Sequence, residues 1–166
     1  MAQQATAQLL RTFHHTRADF QVQLDRGGSS SDGIAREGNL IGFSVKASKA
    51  VYYLALNIGP TGDLSVLYPY TEAELAQIQA NQVVNLGGQI RVTAPFGTEY
   101  IKVFAFSNLP ATLKNWVGQI NIAPNDPRFS DLACLVGLSI PNSGKYCTKT
   151  GIADASFTIT TYPKTQ

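Results

Sequence analysis

Two cysteines and two histidines are the residues of this 166-residue chain best suited to nucleophilic or metal chemistry. Cys134 and Cys147 are separated by twelve residues, whereas His14 and His15 are adjacent and far away in sequence. A cysteine nucleophile needs a base at hydrogen-bond distance, and a zinc site would need further ligands at suitable spacing. Neither pattern is present, so the sequence predicts no catalytic residue, no metal site and no cofactor.

The carboxylates do not form an acid–base pair in the sequence pattern either. Glu72 and Glu74 are two positions apart, so their side chains would diverge on a helix, and Glu99 stands alone in a strand-like segment. Thr71 and Glu74 instead have the spacing of a capping box, which predicts the start of a short helix. We therefore expect the chain not to be an enzyme.

The two cysteines could instead form a disulfide. The segment between them contains Pro141 and Gly144, which allow the chain to fold back. A bond that closes such a loop contributes roughly 3 kcal/mol in the chain-entropy model. The alternative is two free thiols, with Cys134 buried beside leucines. Because disulfides belong to oxidising compartments, pairing of Cys134 with Cys147 favours an extracytoplasmic location, and free thiols favour the cytoplasm.

Composition and charge exclude several classes of protein. A hydrophobic content of 44% and a charged content of 14% are typical of a packed domain rather than a disordered chain. The net charge is +2 and the basic residues are scattered, so we expect no nucleic-acid binding. Apolar runs such as residues 51–56 are too short to span a bilayer. The first ten residues lack the pattern of a signal peptide.

Short strands separated by turn signals dominate the chain. The predicted strands cover residues 20–24, 40–47, 51–58, 63–68, 83–86, 89–94, 99–107, 116–122 and 154–162, and short helices are predicted near 72–79 and 127–136. Residues 1–18 are predicted to be a tail or a short helix, and residues 19–166 a single domain. The predicted fold is all-β: an antiparallel β-sandwich with one or two short helices. An Ig-like topology is one interpretation of this sandwich, and a partly open barrel is the alternative fold.

Two of these segments should lie at the centre of a sheet. Residues 51–58 and 99–107 are apolar on both alternating faces, which is typical of a strand covered on both sides. Residues 83–94 contain a Gly-Gly pair between two strand-like runs and predict a hairpin. Leu67 and Phe96 lie where strands meet turns, so we expect both in the core.

Aromatic residues near the strand ends are the candidates for a binding surface. Tyr68, Tyr70 and Phe96, together with Glu99, are the predicted binding residues, because aromatic side chains on a rigid sheet are good anchors. The alternative is that the aromatic residues pack in the core and across strands.

The chain resembles a bacterial domain of unknown function over about residues 20–107, and again at 154–162. The matching features are Glu37-Gly38-Asn39, the aromatic strand from Val51, Gly62-Asp63, Leu67-Tyr68-Pro69 and Pro95-Phe96-Gly97-Thr98-Glu99. Members of that family are typically appended to caspase-like peptidases, trypsin-like peptidases or protein kinases. The resemblance thus implies a non-catalytic accessory domain of a larger bacterial protein.

The predicted function is therefore protein recognition, with a protein partner or a neighbouring domain as the ligand. A regulatory or targeting domain of a caspase-like peptidase is the first alternative. An enzyme with a site in residues 108–153 is the second.

Overall fold

The computed structural model describes residues 18–28, 33–86, 90–137, 147 and 150–164. These residues form a mostly β structure with one short α-helix, α1 (Phe129–Leu135), and two 3₁₀ turns, Glu72–Glu74 and Leu113–Trp116. The strands are β1 (Val22–Gly28), β2 (Ile34–Arg36), β3 (Leu40–Ala47), β4 (Tyr52–Ile58), β5 (Leu64–Tyr68), β6 (Val84–Asn85), β7 (Ile90–Arg91), β8 (Thr98–Phe106) and β9 (Ile152–Tyr162).

The larger of two open sheets has the strand order β2-β9-β8-β4-β5. Its neighbours are antiparallel, except that β2 pairs with β9 in parallel. The expectation of a purely antiparallel arrangement is wrong at this pair, where a three-residue strand with little sequence signal joins the edge. The central positions of β4 and β8 confirm the expectation drawn from their apolar faces.

The smaller sheet is built around β3. One edge of β3 pairs with β1, and β6 and β7 both pair antiparallel with β3 as two pieces along its other edge. The predicted hairpin over residues 83–94 is therefore wrong, because both pieces pair with β3 and not with each other. Residues 87–89 lie outside the described part of the chain.

The two faces of the larger sheet are buried in different ways. One face packs against the smaller sheet through an apolar cluster that includes Val45 from β3 and Tyr53 and Val103 from β4 and β8. The other face is covered by residues 113–136, whose Trp116 and Phe129 belong to a second cluster. This alternation follows from the two-residue period of strands, which sends successive side chains to opposite faces.

Several local predictions need correction. The segment 116–122 is not a strand; it begins in a 3₁₀ turn and makes an isolated bridge from Ile122 to Leu64. The helix predicted over 72–79 is only a 3₁₀ turn, because Ile78 pairs with Val51 instead. The helix predicted near 127–136 is confirmed as α1.

The tail or helix predicted over residues 1–18 lies outside the described residues, apart from Ala18. Leu67 and Phe96 are half-buried at the margins of apolar clusters, rather than fully buried. Among the described residues, no helix is long and apolar enough to cross a membrane.

Candidate functional site

The four predicted binding residues lie in two separate places. Tyr68 is only 5% exposed and packs in the cluster between the sheets, whereas Tyr70 is 62% exposed. Both are at the end of β5 where Tyr68 pairs with Ala55. Half-buried Phe96 and Glu99 lie near the start of β8, close to the opposite end of the β4–β5 hairpin. The structure therefore does not join the four residues into one surface.

Glu99 contributes to a cleft beside the turn that connects β4 to β5. The cleft has a volume of about 170 Å³. Its walls are the turn, residues 59–63, and the segment 93–95 that follows β7. The polar side chains that line it are Asn57, Thr61, Asp63, Ser65, Thr93, Glu99 and Asn121.

A row of polar side chains crosses three adjacent strands at the cleft. Asn57 on β4 pairs directly with Ser65 on β5 and with Ile101 on β8. Glu99 is two residues before Ile101, so it lies diagonally from Asn57 on the same face of the sheet. Further along the same strands this face carries Ala55 and Val103 in the apolar cluster between the sheets. The cleft therefore begins where the apolar packing ends.

The two walls of the cleft meet at a glycine. A Cβ added to Gly97 would lie only 3.0 Å from Pro60 Cβ, so the absence of a side chain allows this close approach. The φ of Gly97 is 147°, a backbone conformation that other residues rarely adopt. The Gly97 N–H donates to the hydroxyl of buried Thr161 on β9 over 3.0 Å. The hydrogen bond holds the segment before β8 on β9, and the close approach of Gly97 to Pro60 places this segment beside the β4–β5 turn.

The carboxylate of Glu99 is partly withdrawn from water. Burial raises the pKa of Glu99, and a hydrogen bond from the Asn57 side chain acts in the opposite direction and lowers it. Asn57 Oδ1 is buried and has no hydrogen-bond partner among the described residues. Asn57 and Glu99, two adjacent side chains with acceptor oxygens, thus both line the cleft.

The remaining polar groups of the cleft add acceptors and neutral donors but no positive charge. The Asp63 carboxylate lies at the exposed turn. The Ser65 hydroxyl accepts a hydrogen bond from the Asn121 N–H over 3.0 Å. The described residues that line the cleft include no lysine, arginine or histidine. Such an arrangement suits a ligand that donates hydrogen bonds, and a positively charged one in particular.

Sequence reasoning found Glu99 but missed Asn57 and Ser65. Each is a polar residue inside an otherwise apolar strand, Asn57 in YYLALNI and Ser65 in LSVLY. That interruption was the available signal. It becomes meaningful only with the register, which places both residues and Glu99 on the same face.

Cys134 and Cys147 are joined by a disulfide, with a Cα–Cα distance of 4.5 Å. Cys134 lies in α1 and is 6% exposed, and Cys147 is half-buried. The bond ties residue 147 to the layer that covers the second face of the larger sheet. Among the described residues there is no group of three or more side chains suited to hold a metal ion.

The chain is a mostly β protein with an acceptor-lined cleft at one end of its larger sheet. Residues 35–108 match the family model of a domain of unknown function, DUF4384. The matched range includes both walls of the cleft, and it confirms the resemblance to a domain of unknown function over those residues. No curated protein matches the chain, and no solved structure matches it.

Proposed function

We propose that this chain is a non-catalytic accessory module that recognises a protein partner or a neighbouring domain through the cleft at the β4–β5 turn. We also propose that the two sheets form a β-sandwich with an Ig-like topology.

One observation carries the proposal: two segments that are distant in sequence, both within the range 35–108 that matches the family model, come together at one open site. The turn 59–63 and the segment before β8 are more than thirty residues apart in sequence. They nevertheless meet at the contact between Pro60 and Gly97, where a Cβ on Gly97 would lie 3.0 Å from the proline ring. Central strands β4 and β8 hold Asn57 and Glu99 beside this contact. A site on rigid strands is suited to recognition, because little ordering is required on binding.

The packing of residues 113–136 supports an accessory role over an enzyme with a site in residues 108–153. The large apolar side chains of this segment cover the larger sheet, with Leu113, Trp116 and Phe129 all buried. Cys134, one of the two cysteines suited by residue type to nucleophilic chemistry, forms a disulfide. The buried side chains in the described part of the segment are thus used for packing.

A photo-crosslinking experiment tests the proposal. A benzophenone amino acid is placed at exposed Thr61, on the rim of the cleft, and in a control variant at exposed Lys114, in the 3₁₀ turn over the opposite face. Irradiation in the source cells should give one defined crosslink from position 61, either to another protein or to a neighbouring domain of the same polypeptide, and none from position 114. A peptidase as the partner would specify a regulatory role.

Two results would contradict the proposal. One is the lack of any adduct specific to position 61. The other is turnover by the purified chain in peptidase, esterase or phosphatase assays, since a non-catalytic module should show none.

A further inference from the structure

The ligand chemistry of the cleft follows from its acceptors. We infer that the cleft binds the guanidinium group of an arginine side chain presented by the partner. This inference rests on the proposed function and specifies which part of the partner enters the site.

The first step concerns Asn57, which lines the cleft. The buried Oδ1 of Asn57 lacks a hydrogen-bond partner among the described residues, and an unsatisfied buried acceptor is costly. Asn57 also donates to Glu99, so its amide is oriented with the donor toward the carboxylate. Because Asn57 lines the cleft, a rotation of its amide would bring this buried oxygen to a donor held there and give it its missing partner.

The second step concerns charge. Glu99 keeps its carboxylate half-buried, and burial raises its pKa because the charged form loses water. An arriving cation compensates this loss directly, and the exposed carboxylate of Asp63 lies on the same cleft. With no basic residue among the described residues of the lining, this negative charge is not neutralised from within the cleft.

The third step concerns shape. A water molecule needs roughly 10–15 Å³ of accessible cavity, so a cleft of about 170 Å³ has room for a side-chain head group. Its acceptors come from different strands and from the turn, hence from different directions. A guanidinium carries five N–H donors in a planar fork, whereas an ammonium is a point charge with three donors. The spread of acceptors favours arginine over lysine.

The test uses N-acetyl-arginine-methylamide as the probe, followed by NMR spectroscopy of the intact chain. The matched probe is the citrulline derivative, which has nearly the same shape but no charge. We expect saturable shifts of the Asn57, Ser65 and Glu99 signals with the arginine probe, with a dissociation constant in the millimolar range. The citrulline probe should give at least tenfold weaker binding.

Variants then assign the site. Glu99→Gln should weaken binding of the arginine probe by about tenfold or more, since it removes a charge-assisted hydrogen bond. Glu72→Gln makes the same change of charge at an exposed turn outside the cleft and should leave binding unchanged. Amide spectra of both variants will report whether the fold is intact.

Three outcomes would overturn the inference: no shift at these signals, equal binding of the citrulline probe, or displacement of the arginine probe by millimolar Ca²⁺, which would mark an inorganic cation site. If a partner still crosslinks at position 61 under any of them, the proposed function stands and only the arginine assignment fails.

Discussion

Lys102 Nζ lies 3.4 Å from Asp154 Oδ2, and each of the two side chains is only 1% exposed. Lys102 pairs with Ser156 and Phe104 with Asp154, so the two charges are diagonal neighbours on β8 and β9. The ammonium also lies 5.6 Å from the centre of the Phe104 ring. Burial lowers the pKa of Lys102, while the Asp154 carboxylate opposes that change. An ion pair is thus built into an otherwise apolar face.

Removal of one partner of this pair should be strongly destabilising. Asp154→Ala leaves a buried lysine without its carboxylate, and we expect a loss of about 3–5 kcal/mol in the free energy of unfolding, measured by urea denaturation. The control is Asp19→Ala, which breaks a pair of similar length, 3.3 Å, between exposed side chains of Lys49 and Asp19. That change should cost about 1 kcal/mol or less. Equal losses in the two variants would contradict the prediction.

Replacement of both charges tests whether the pair itself stabilises the fold. Lys102→Met combined with Asp154→Val removes both desolvation penalties and changes the total side-chain volume only modestly. The double variant should recover most of the stability lost in Asp154→Ala, because buried ion pairs are often no better than apolar packing. A double variant as unstable as the single one would show that the pair is a net stabilising contact.

Removal of the buried Tyr53 hydroxyl, unlike removal of Asp154, should not lower the free energy of unfolding. Its oxygen has no hydrogen-bond partner among the described residues, and burial raises the pKa of Tyr53 to about 12. Tyr53→Phe removes the unsatisfied hydroxyl, so we expect stability to be unchanged or to increase by about 1 kcal/mol. Tyr70→Phe, at a side chain that is 62% exposed, is the control and should have no effect.

Tyr53→Phe should also change how the free energy of unfolding depends on pH in the alkaline range. The folded protein keeps the Tyr53 proton to a higher pH than the unfolded chain, whose tyrosines titrate near about 10. The stability linked to this proton is fully present below that value and is lost as pH rises toward about 12. Tyr53→Phe should therefore lose less stability than the parent between these pH values. A steeper loss in the variant would refute the assignment.

The strands β3, β4, β5, β8 and β9 and the helix α1 could be predicted from the sequence, because each is a periodic or continuous apolar run bounded by turn residues. It did not allow β2 or the split edge of β6 and β7 to be predicted, because strands of two or three residues carry almost no periodicity. Pairing partners that are distant in sequence are set by packing. The candidate site could not be predicted for the same reason. Asn57 and Ser65 carry no distinguishing signal in the sequence, and only the strand register shows that they lie on the same face as Glu99.

Glu99 should make stability depend on pH in the acidic to neutral range. Because burial raises its pKa in the folded protein, its favourable contribution is present below the unfolded value of about 4.3 and is lost as pH rises through the folded value. Glu99→Gln, which cannot ionise, should gain stability relative to the parent between about pH 4 and pH 7. Chemical denaturation at both pH values measures this, with Glu72→Gln as the charge-matched control. A difference that stays constant with pH would rule out a buried Glu99 carboxylate.

Gly97 should tolerate no side chain. Gly97→Ala places a Cβ 3.0 Å from Pro60 at a φ of 147°, so we expect a loss of about 1–3 kcal/mol. Gly42→Ala is the control, because Gly42 lies in β3 with no atom within 4 Å of an added Cβ. Thermal denaturation of both variants is the measurement, and similar melting temperatures would show that the two walls of the cleft move apart easily.

The disulfide between Cys134 and Cys147 should contribute measurably to stability, because it joins α1 to a residue thirteen positions further along the chain and so closes a loop. In the chain-entropy model such a bond contributes roughly 3 kcal/mol, which corresponds to a melting temperature higher by about 6–12 °C in a protein of this size. Reduction should remove this increment from the parent but leave the Cys134→Ala, Cys147→Ala double variant unchanged, which controls for effects of the reductant. Mass spectrometry after alkylation under denaturing, non-reducing conditions should find no free thiol. Two alkylated thiols in protein purified under oxidising conditions would show that the bond does not form in solution, and with it the argument for an oxidising compartment would disappear.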